Sequence, residues 1–187
     1  MKSRVLSQLF VAGALLVGAG VAGATTTPRV PPSDETLTNR VRHEIVVYPY
    51  YGIFDNINYR VVNGSVELTG AVTEPYKKSD IGKSVQKISG VASVTNELKV
   101  LPLSPMDNRL RFQIARAIYR DPNLSRYAIQ AVPPIHIIVD NGHVTLEGVV
   151  NNQLEKQEAG MRAATTGLSF GPVVNNLRVE NPSPKKG

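Results

Sequence analysis

The chain has 187 residues, of which 42% are hydrophobic and 19% are charged, and its formal net charge is +6. This composition excludes a disordered chain and provides apolar residues for the core of one medium domain or two small ones. The chain contains no cysteine, so disulfides are excluded and each folding unit must be stable through its own core. The positive charge favours anionic partners such as lipid head groups, nucleic acid or acidic polymers.

The N-terminus has the pattern of a secretory signal peptide. Lys2 and Arg4 precede the apolar stretch LFVAGALLVGAGVAGA at residues 9–24, which ends in the small residues Ala-Gly-Ala. We therefore predict a signal peptide at 1–24, cleaved after Ala24. The alternative is an uncleaved anchor, although a stretch so rich in glycine and alanine is weakly hydrophobic for a permanent span. Export argues against nucleic acid as a partner.

Two polar segments flank the body of the chain. The segment TTTPRVPPSDE at 25–35 is rich in threonine and proline, which predicts an extended linker. The segment NPSPKKG at 181–187 is predicted to be a disordered basic tail. The residues between them are numerous enough for a pair of small domains.

The first half of the body predicts the order helix, strand, strand, helix, strand. The corresponding segments are, in chain order, LTNRVRHEI (37–45), INYRV (57–61), VELTGAV (66–72), EPYKKSDIGKSVQKIS (74–89) and VASVTNELKV (91–100). Leu37, Val41 and Ile45 recur every four residues and form the apolar stripe of a helix. Asn63-Gly64 separates two alternating strands and is the favoured pair for a type I′ hairpin turn.

The second half of the body repeats the first. NGSVELTG recurs 78 residues later as NGHVTLEG, and VTNELKV recurs as VVNNLRV. The predicted elements of the second copy are SPMDNRLRFQIARAIYRD (104–121), IHIIV (135–139), VTLEGVV (144–150), LEKQEAGMRAATT (154–166) and PVVNNLRV (172–179). The second copy has nine more residues between its first helix and first strand, where AVPP lies. We predict two tandem domains at 36–101 and 104–180.

This repeated unit resembles the BON domain, through NGxVxLxG on the hairpin and GVxxVxNxLxV on the last strand. The matching positions of the first copy are Gly64, Val66, Leu68, Gly70, Gly90, Val91, Val94, Asn96, Leu98 and Val100. Those of the second copy are Gly142, Val144, Leu146, Gly148, Val173, Asn175, Leu177 and Val179. The second copy departs from the pattern where Gly-Val is expected, because Ser169-Phe170 stands there. A remodelled turn is predicted at that point.

The resemblance implies an α+β fold of two tandem modules, each a three-stranded sheet packed against two helices. BON domains occur in bacterial periplasmic proteins, often in pairs behind a signal peptide, osmotically inducible ones among them. The resemblance implies a periplasmic protein that associates with phospholipid membranes or other envelope components and maintains the envelope under stress. It brings no catalytic residues, and no enzyme is predicted.

The residues themselves predict neither a catalytic nor a metal site. His43, His136 and His143 are the only histidines, and none has a partner at the spacing of a metal motif such as H-E-x-x-H. Glu67 and Glu147 occupy similar strand positions in different copies and do not form an acid–base pair. We therefore expect no catalytic residue, no metal, no cofactor and no small-molecule substrate.

The first helix of the second copy carries the predicted functional surface. At 100° per residue an apolar arc is formed by Leu110, Ile114, Ala117 and Ile118. The opposite arc is formed by the predicted lipid-binding residues Arg109, Phe112, Arg116, Tyr119 and Arg120. Aromatic rings at head-group level beside guanidinium groups suit an anionic membrane surface. The alternative is that the two aromatic rings pack against the first copy or the AVPP segment.

A second aromatic cluster lies in the segment YPYYGIFDN of the first copy. Tyr48, Tyr50, Tyr51 and Phe54 either close the end of the core or form an amphipathic rim for lipid or a partner. We expect the partner to be an anionic phospholipid surface or an envelope protein. The alternative to lipid binding is a protein-interaction adaptor or periplasmic chaperone for an envelope complex.

Overall fold

The computed structural model describes residues 32–166 and 169–180 of the chain. The predicted signal peptide at 1–24, most of the predicted linker and the predicted tail at 181–187 lie outside the described residues. The first helix begins at Asp34, and the Ser33 hydroxyl caps it by accepting the Thr36 N–H at 3.3 Å. Asp34 and Glu35, which the sequence assigned to the linker, therefore belong to this helix.

Two modules of the same element order follow one another along the chain. The first contains α1 (Asp34–Val46), β1 (Asn56–Val62), β2 (Ser65–Val72), α2 (Pro75–Gln86), β3 (Ser93–Asn96) and β4 (Lys99–Val100). The second contains α3 (Pro105–Tyr119), a 3₁₀ helix (Ser125–Ile129), β5 (Ile135–Asp140), β6 (His143–Val150), α4 (Gln153–Thr165), β7 (Val174–Asn175) and β8 (Arg178–Val179). The predicted α+β class and tandem organisation are confirmed.

Each sheet is built around the return strand of its hairpin. In the first module β2 pairs with β1 in antiparallel fashion on one side and with β3 and β4 in parallel on the other. In the second module β6 takes the same central place between β5 and the short strands β7 and β8. The outer strands β1 and β5 are thus the edges of their sheets.

The last strand of each module is divided into two short strands instead of one, and an asparagine explains the division. The Asn96 side-chain amide donates to the Lys78 carbonyl of α2 at 2.8 Å, and its oxygen accepts the Leu98 N–H at 3.2 Å. Asn175 makes the equivalent bonds, to the Lys156 carbonyl of α4 at 2.7 Å and from the Leu177 N–H at 3.3 Å. The asparagine shared by both copies therefore ties the strand to the second helix and has a structural role.

Both hairpins turn through left-handed backbone that an acidic side chain holds in place. The φ angles are 49° at Asn63 and 76° at Gly64, and the corresponding pair of the second module has 51° and 79°. In the first module the Asp34 carboxylate accepts both turn N–H groups, at 2.7 and 2.9 Å. In the second module the Asp107 carboxylate accepts both, each at 2.9 Å. The predicted type I′ turn is confirmed, and each turn is attached to the first helix of its own module.

Loss of the carboxylate that holds the turn should destabilise the second module more than the first. Asp107 is only 3% exposed, whereas Asp34 is half-buried and partly hydrated. We expect Asp107→Ala to lower the free energy of unfolding by about 2 kcal/mol, because a buried and a partly buried N–H group lose a charged acceptor. Urea denaturation followed by circular dichroism measures this loss. Asp34→Ala is the matched control, and an equal loss in the two variants would contradict the prediction.

Candidate functional site

The three predicted arginines of α3 form one exposed strip. Arg109, Arg116 and Arg120 are exposed, and none makes a salt bridge or side-chain hydrogen bond within the described part of the chain. At 100° per residue they fall within about 40° of one another, opposite the buried side of the helix. This arrangement leaves three guanidinium groups available to an anionic partner.

The two predicted aromatic residues lie on the flank of α3 instead of on this strip. Phe112 is 61% exposed, and its ring meets the edge of Phe54 of the first module at a centroid distance of 5.1 Å. Tyr119 packs against the core of the second module, and its hydroxyl donates to the Ile135 carbonyl at 2.6 Å. Burial raises the pKa of Tyr119. Of these two residues, Phe112 is therefore the one that presents an aromatic surface beside the arginines.

The buried side of α3 also differs from the predicted stripe. Ala115 and Arg111 are buried, whereas Ala117 is only half-buried. The Arg111 guanidinium donates to the Val139 carbonyl and to the Asn108 side chain, each at 2.6 Å. Burial lowers the pKa of Arg111. A fourth arginine of this helix is thus used inside the module, which the sequence pattern did not indicate.

A groove with a volume of about 470 Å³ runs between the ends of α3 and α4. It is lined by Gln113, Arg116, Ala117, Arg120, Asp121, Pro122, Arg162 and Thr166. Sequence reasoning missed Arg162 because it looked for the surface on one helix only. The signal that could have found it is the repeat, since Ser84 stands at the matching position of the first copy.

Exposed apolar side chains lie beside the arginine strip. Met106, Arg109 and Phe170 line a small cavity next to Gly142, and the Phe170 ring is 65% exposed. The Phe170 N–H donates to the Gly142 carbonyl at 3.0 Å, as the Ala92 N–H does to Gly64 in the first module at 2.9 Å. The departure from the Gly-Val pattern thus keeps the hydrogen bond and adds an exposed ring.

The connection between α1 and β1 contacts the second module. The Ile53 carbonyl accepts the Ile137 N–H at 2.7 Å, so this segment covers part of the edge of β5. Ile53 and Phe54 pack against the core of the second module. The Asp55 carboxylate fixes the segment by accepting from Thr73 and from Lys77 Nζ, the latter at 2.7 Å. A loop of the first module therefore completes the packing of the second.

A histidine of β5 completes this contact. His136 is buried, and its ring stacks on Tyr51 at a centroid distance of 5.5 Å and an interplanar angle of 28°. The Tyr51 hydroxyl lies 3.5 Å from His136 Nε2. Burial lowers the pKa of His136. His136 thus packs between the modules.

The four aromatic residues of YPYYGIFDN are divided between the cores and the surface. Tyr48 and Tyr51 pack against the core of the first module, and Phe54 packs against that of the second. Tyr50 remains exposed and meets Tyr48 and Tyr76 edge to face, each at 5.7 Å. Three of the four rings therefore close a core, and one lies on the surface.

Within residues 32–166 and 169–180, no cluster of three or more potential metal ligands occurs. Among the helices of the same part of the chain, none is long and apolar enough to cross a bilayer. The described residues do present an exposed arginine strip on α3, a groove beside it and the exposed aromatic ring of Phe112 on the flank of the same helix.

The described residues form two tandem α+β modules of the same element order, with an exposed cationic strip on one helix of the second. The chain belongs to the BON domain family, whose profile matches residues 33–102 and 107–181. The two matched segments correspond to the two modules described above. BON is a family of non-enzymatic domains.

Comparison with other proteins adds little to the family assignment. No curated protein matches the chain. Two solved structures that are similar to this chain are of CdsD, a structural protein of the type III secretion system of Chlamydia trachomatis. The first is 16% identical over 77% of this chain and 61% of its own length, with a TM-score of 0.31. The second, of the C-terminal domain of CdsD, is 15% identical over 80% of this chain and 67% of its own length, also with a TM-score of 0.31.

Burial of His136 should make stability depend on pH between 7.5 and 5.5. An unfolded histidine titrates near 6.5, so below that pH the unfolded chain binds a proton that the folded chain resists. Stability is therefore complete above this range and falls as the pH falls through it, by at most about 1.4 kcal/mol per pH unit for one proton. Urea midpoints at the two pH values measure the change.

The variant His136→Phe keeps the ring stacked on Tyr51 and removes the titration. We expect its urea midpoint to fall less between the two pH values than that of the wild type. His143→Gln, at an exposed position of the same hairpin, is the matched control and should behave as the wild type. The interpretation fails if the wild type and His136→Phe lose stability equally.

Proposed function

We propose that this protein maintains the bacterial envelope from the periplasm, under osmotic and other stress, by binding anionic phospholipid surfaces without catalysis. The observation that carries the proposal is the exposed strip of Arg109, Arg116 and Arg120 on α3, whose guanidinium groups have no partner within the described residues. Membership in the BON family supports it, because BON domains suggest binding to membranes of the envelope. The expected export signal at 1–24 supports the periplasmic location.

The expected affinity is low. A cation near an anionic leaflet contributes about 1 kcal/mol, so three arginines contribute about 3 kcal/mol. That is less than the roughly 4 kcal/mol of a millimolar complex. Insertion of Met106, Phe112 and Phe170 adds apolar burial to this electrostatic attraction. The binding is therefore reversible and sensitive to salt.

The first module is a poor candidate for the same role. His43 and Val47 stand where the second module has Phe112 and Arg116. Arg40, which matches Arg109, donates to the Ser89 carbonyl of its own module at 3.0 Å. We therefore assign the lipid contact to the second module and propose that the first supports it through the loop that covers β5.

Charge reversal on the strip should abolish most of the membrane binding. We expect Arg109→Glu combined with Arg116→Glu to weaken binding to anionic vesicles at least about 30-fold, since two attractive contributions are lost. Co-sedimentation of the protein with phosphatidylglycerol vesicles and with neutral phosphatidylcholine vesicles measures the effect. The matched control is Arg42→Glu combined with Arg178→Glu, which reverses two exposed charges elsewhere.

Unchanged anionic binding in the strip variant would remove the site assignment. Equal binding of the wild type to both kinds of vesicle would remove the function itself. Recovery of a defined envelope protein by the wild type, together with no vesicle binding, would favour the adaptor or chaperone alternative.

A further inference from the structure

We propose that the groove between α3 and α4 is a binding site for one phosphate group, held by Arg116, Arg120 and Arg162. The inference rests on the proposed function, because it assigns the head-group phosphate of an anionic lipid to this groove. It goes beyond the strip of α3 by bringing in a residue of α4. A bound phosphate would give the membrane contact a defined, saturable position instead of a diffuse attraction.

Arg116 and Arg120 are positioned to bind an anion together. Arg116 and Arg120 are four residues apart, which places their side chains next to each other on the helix surface, where like charges repel. Neither has a carboxylate partner within the described residues. Guanidinium groups present a planar fork that matches phosphate oxygens in pairs. A phosphate between them would relieve the repulsion and accept from both.

The third arginine is held in place by a buried carboxylate. Arg162 Nη2 lies 2.6 Å from Asp121 Oδ2 and 3.9 Å from Glu158 Oε1. The Asp121 side chain is fully buried, and its other oxygen, Oδ1, accepts the Asn123 N–H at 2.8 Å. Burial alone would raise the pKa of Asp121, but the Asn123 N–H and the Arg162 guanidinium outweigh it and lower the pKa. The carboxylate therefore stays charged and attracts the Arg162 guanidinium.

This anchoring leaves Arg162 able to bind a ligand. The nearest contact to each of the two carboxylates is made by Nη2, and a guanidinium has five N–H donors, so Arg162 can also donate to an anion. The end of α4 would disfavour a nearby anion through its free carbonyls. The Thr165 and Thr166 hydroxyls cover the Arg162 carbonyl there, the former at 3.3 Å. The charged residues that line the groove are thus three arginines and one carboxylate, Asp121. The volume of the groove lies in the range typical of small-ligand sites, about 300–1,000 Å³.

The first module provides an internal comparison. Val47, Ser84 and Glu44 stand at the positions of Arg116, Arg162 and Gln113. The register of the second helices is secure, because Gly82 and Gly160 each face the side-chain amide of the motif asparagine. The groove of the first module includes Glu44 and His43. An acidic residue replaces a neutral one, and none of the three cations has a counterpart, since Tyr51 stands at the position of Arg120. We therefore assign one phosphate site to the chain.

The test compares anionic vesicles that differ in the chemistry of their charge. One kind contains phosphatidylglycerol in digalactosyldiacylglycerol, and the other contains oleate in the same galactolipid, which has no phosphate, at the same surface charge. We expect Arg162→Gln to weaken binding to the phosphatidylglycerol vesicles about tenfold, through loss of a charge-assisted contact, and to change binding to the oleate vesicles far less. The control Arg178→Gln removes one exposed charge from β8 of the same module. It should change neither.

A second variant is needed because Arg162 is the partner of a buried carboxylate, so Arg162→Gln could misfold. Arg120→Gln removes a side chain without a described partner and should also weaken binding to phosphatidylglycerol vesicles more than to oleate vesicles. Equal weakening on both vesicle types by both variants would overturn the phosphate site and leave only diffuse attraction, which is compatible with the proposed function.

Titration with inorganic phosphate, followed by the NMR signals of the arginine Nε–H groups, separates the two sources of the ligand. Shifts in the wild type that both variants lose, together with their selective loss of phosphatidylglycerol binding, support the lipid head group. The same shifts with unchanged vesicle binding assign the groove to free phosphate and remove the lipid from the proposal. Wild-type protein that binds no vesicle and shows no phosphate shifts overturns both the site and the proposed function.

Discussion

The left-handed backbone of the two Asn-Gly turns is the constraint on which each module depends. A strand exposes alternate side chains on opposite faces, so a shift of one residue at the turn would move the apolar set of β1 and β2 into solvent. The turn fixes that register, and an aspartate of the first helix accepts its two N–H groups. Helix and hairpin are thereby joined at one end of the module, which sets the side of α1 and of α3 that faces the sheet.

The contact between the modules then decides which residues of α3 remain available. The loop at Ile53 bonds to the free edge of β5 and brings Phe54 against Phe112. The Phe112 ring keeps most of its surface exposed despite this contact, whereas the bond from Tyr119 to Ile135 turns the Tyr119 ring into the protein. The arginines, on the side away from the sheet, have no such partner among the described residues. Packing therefore removes Tyr119 from the predicted surface and leaves Phe112 beside the arginines.

The differences between the two copies carry the functional proposal, since their shared residues are used for structure. The repeated asparagine of the last strand bonds to a helix carbonyl, and the repeated Asn-Gly forms the turn. Arg116 and Arg162 have no counterpart in the first copy, where Val47 and Ser84 stand. The groove between α3 and α4 is thus a property of one module. The two modules share one framework, and these two arginines stand on only one of them.

The sequence by itself determined the local structure and the duplication. The spacing of apolar residues, the Asn-Gly pairs and the internal repeat depend on near neighbours along the chain, so the helices, hairpins and two modules could be predicted. Only the tertiary structure decided that Tyr119 and Arg111 are used inside the module and that Arg162 stands across a groove from Arg116. Helical periodicity gives the direction of a side chain around one helix. It does not predict which other helix, edge strand or loop will contact that side chain, because these elements are brought together only by folding.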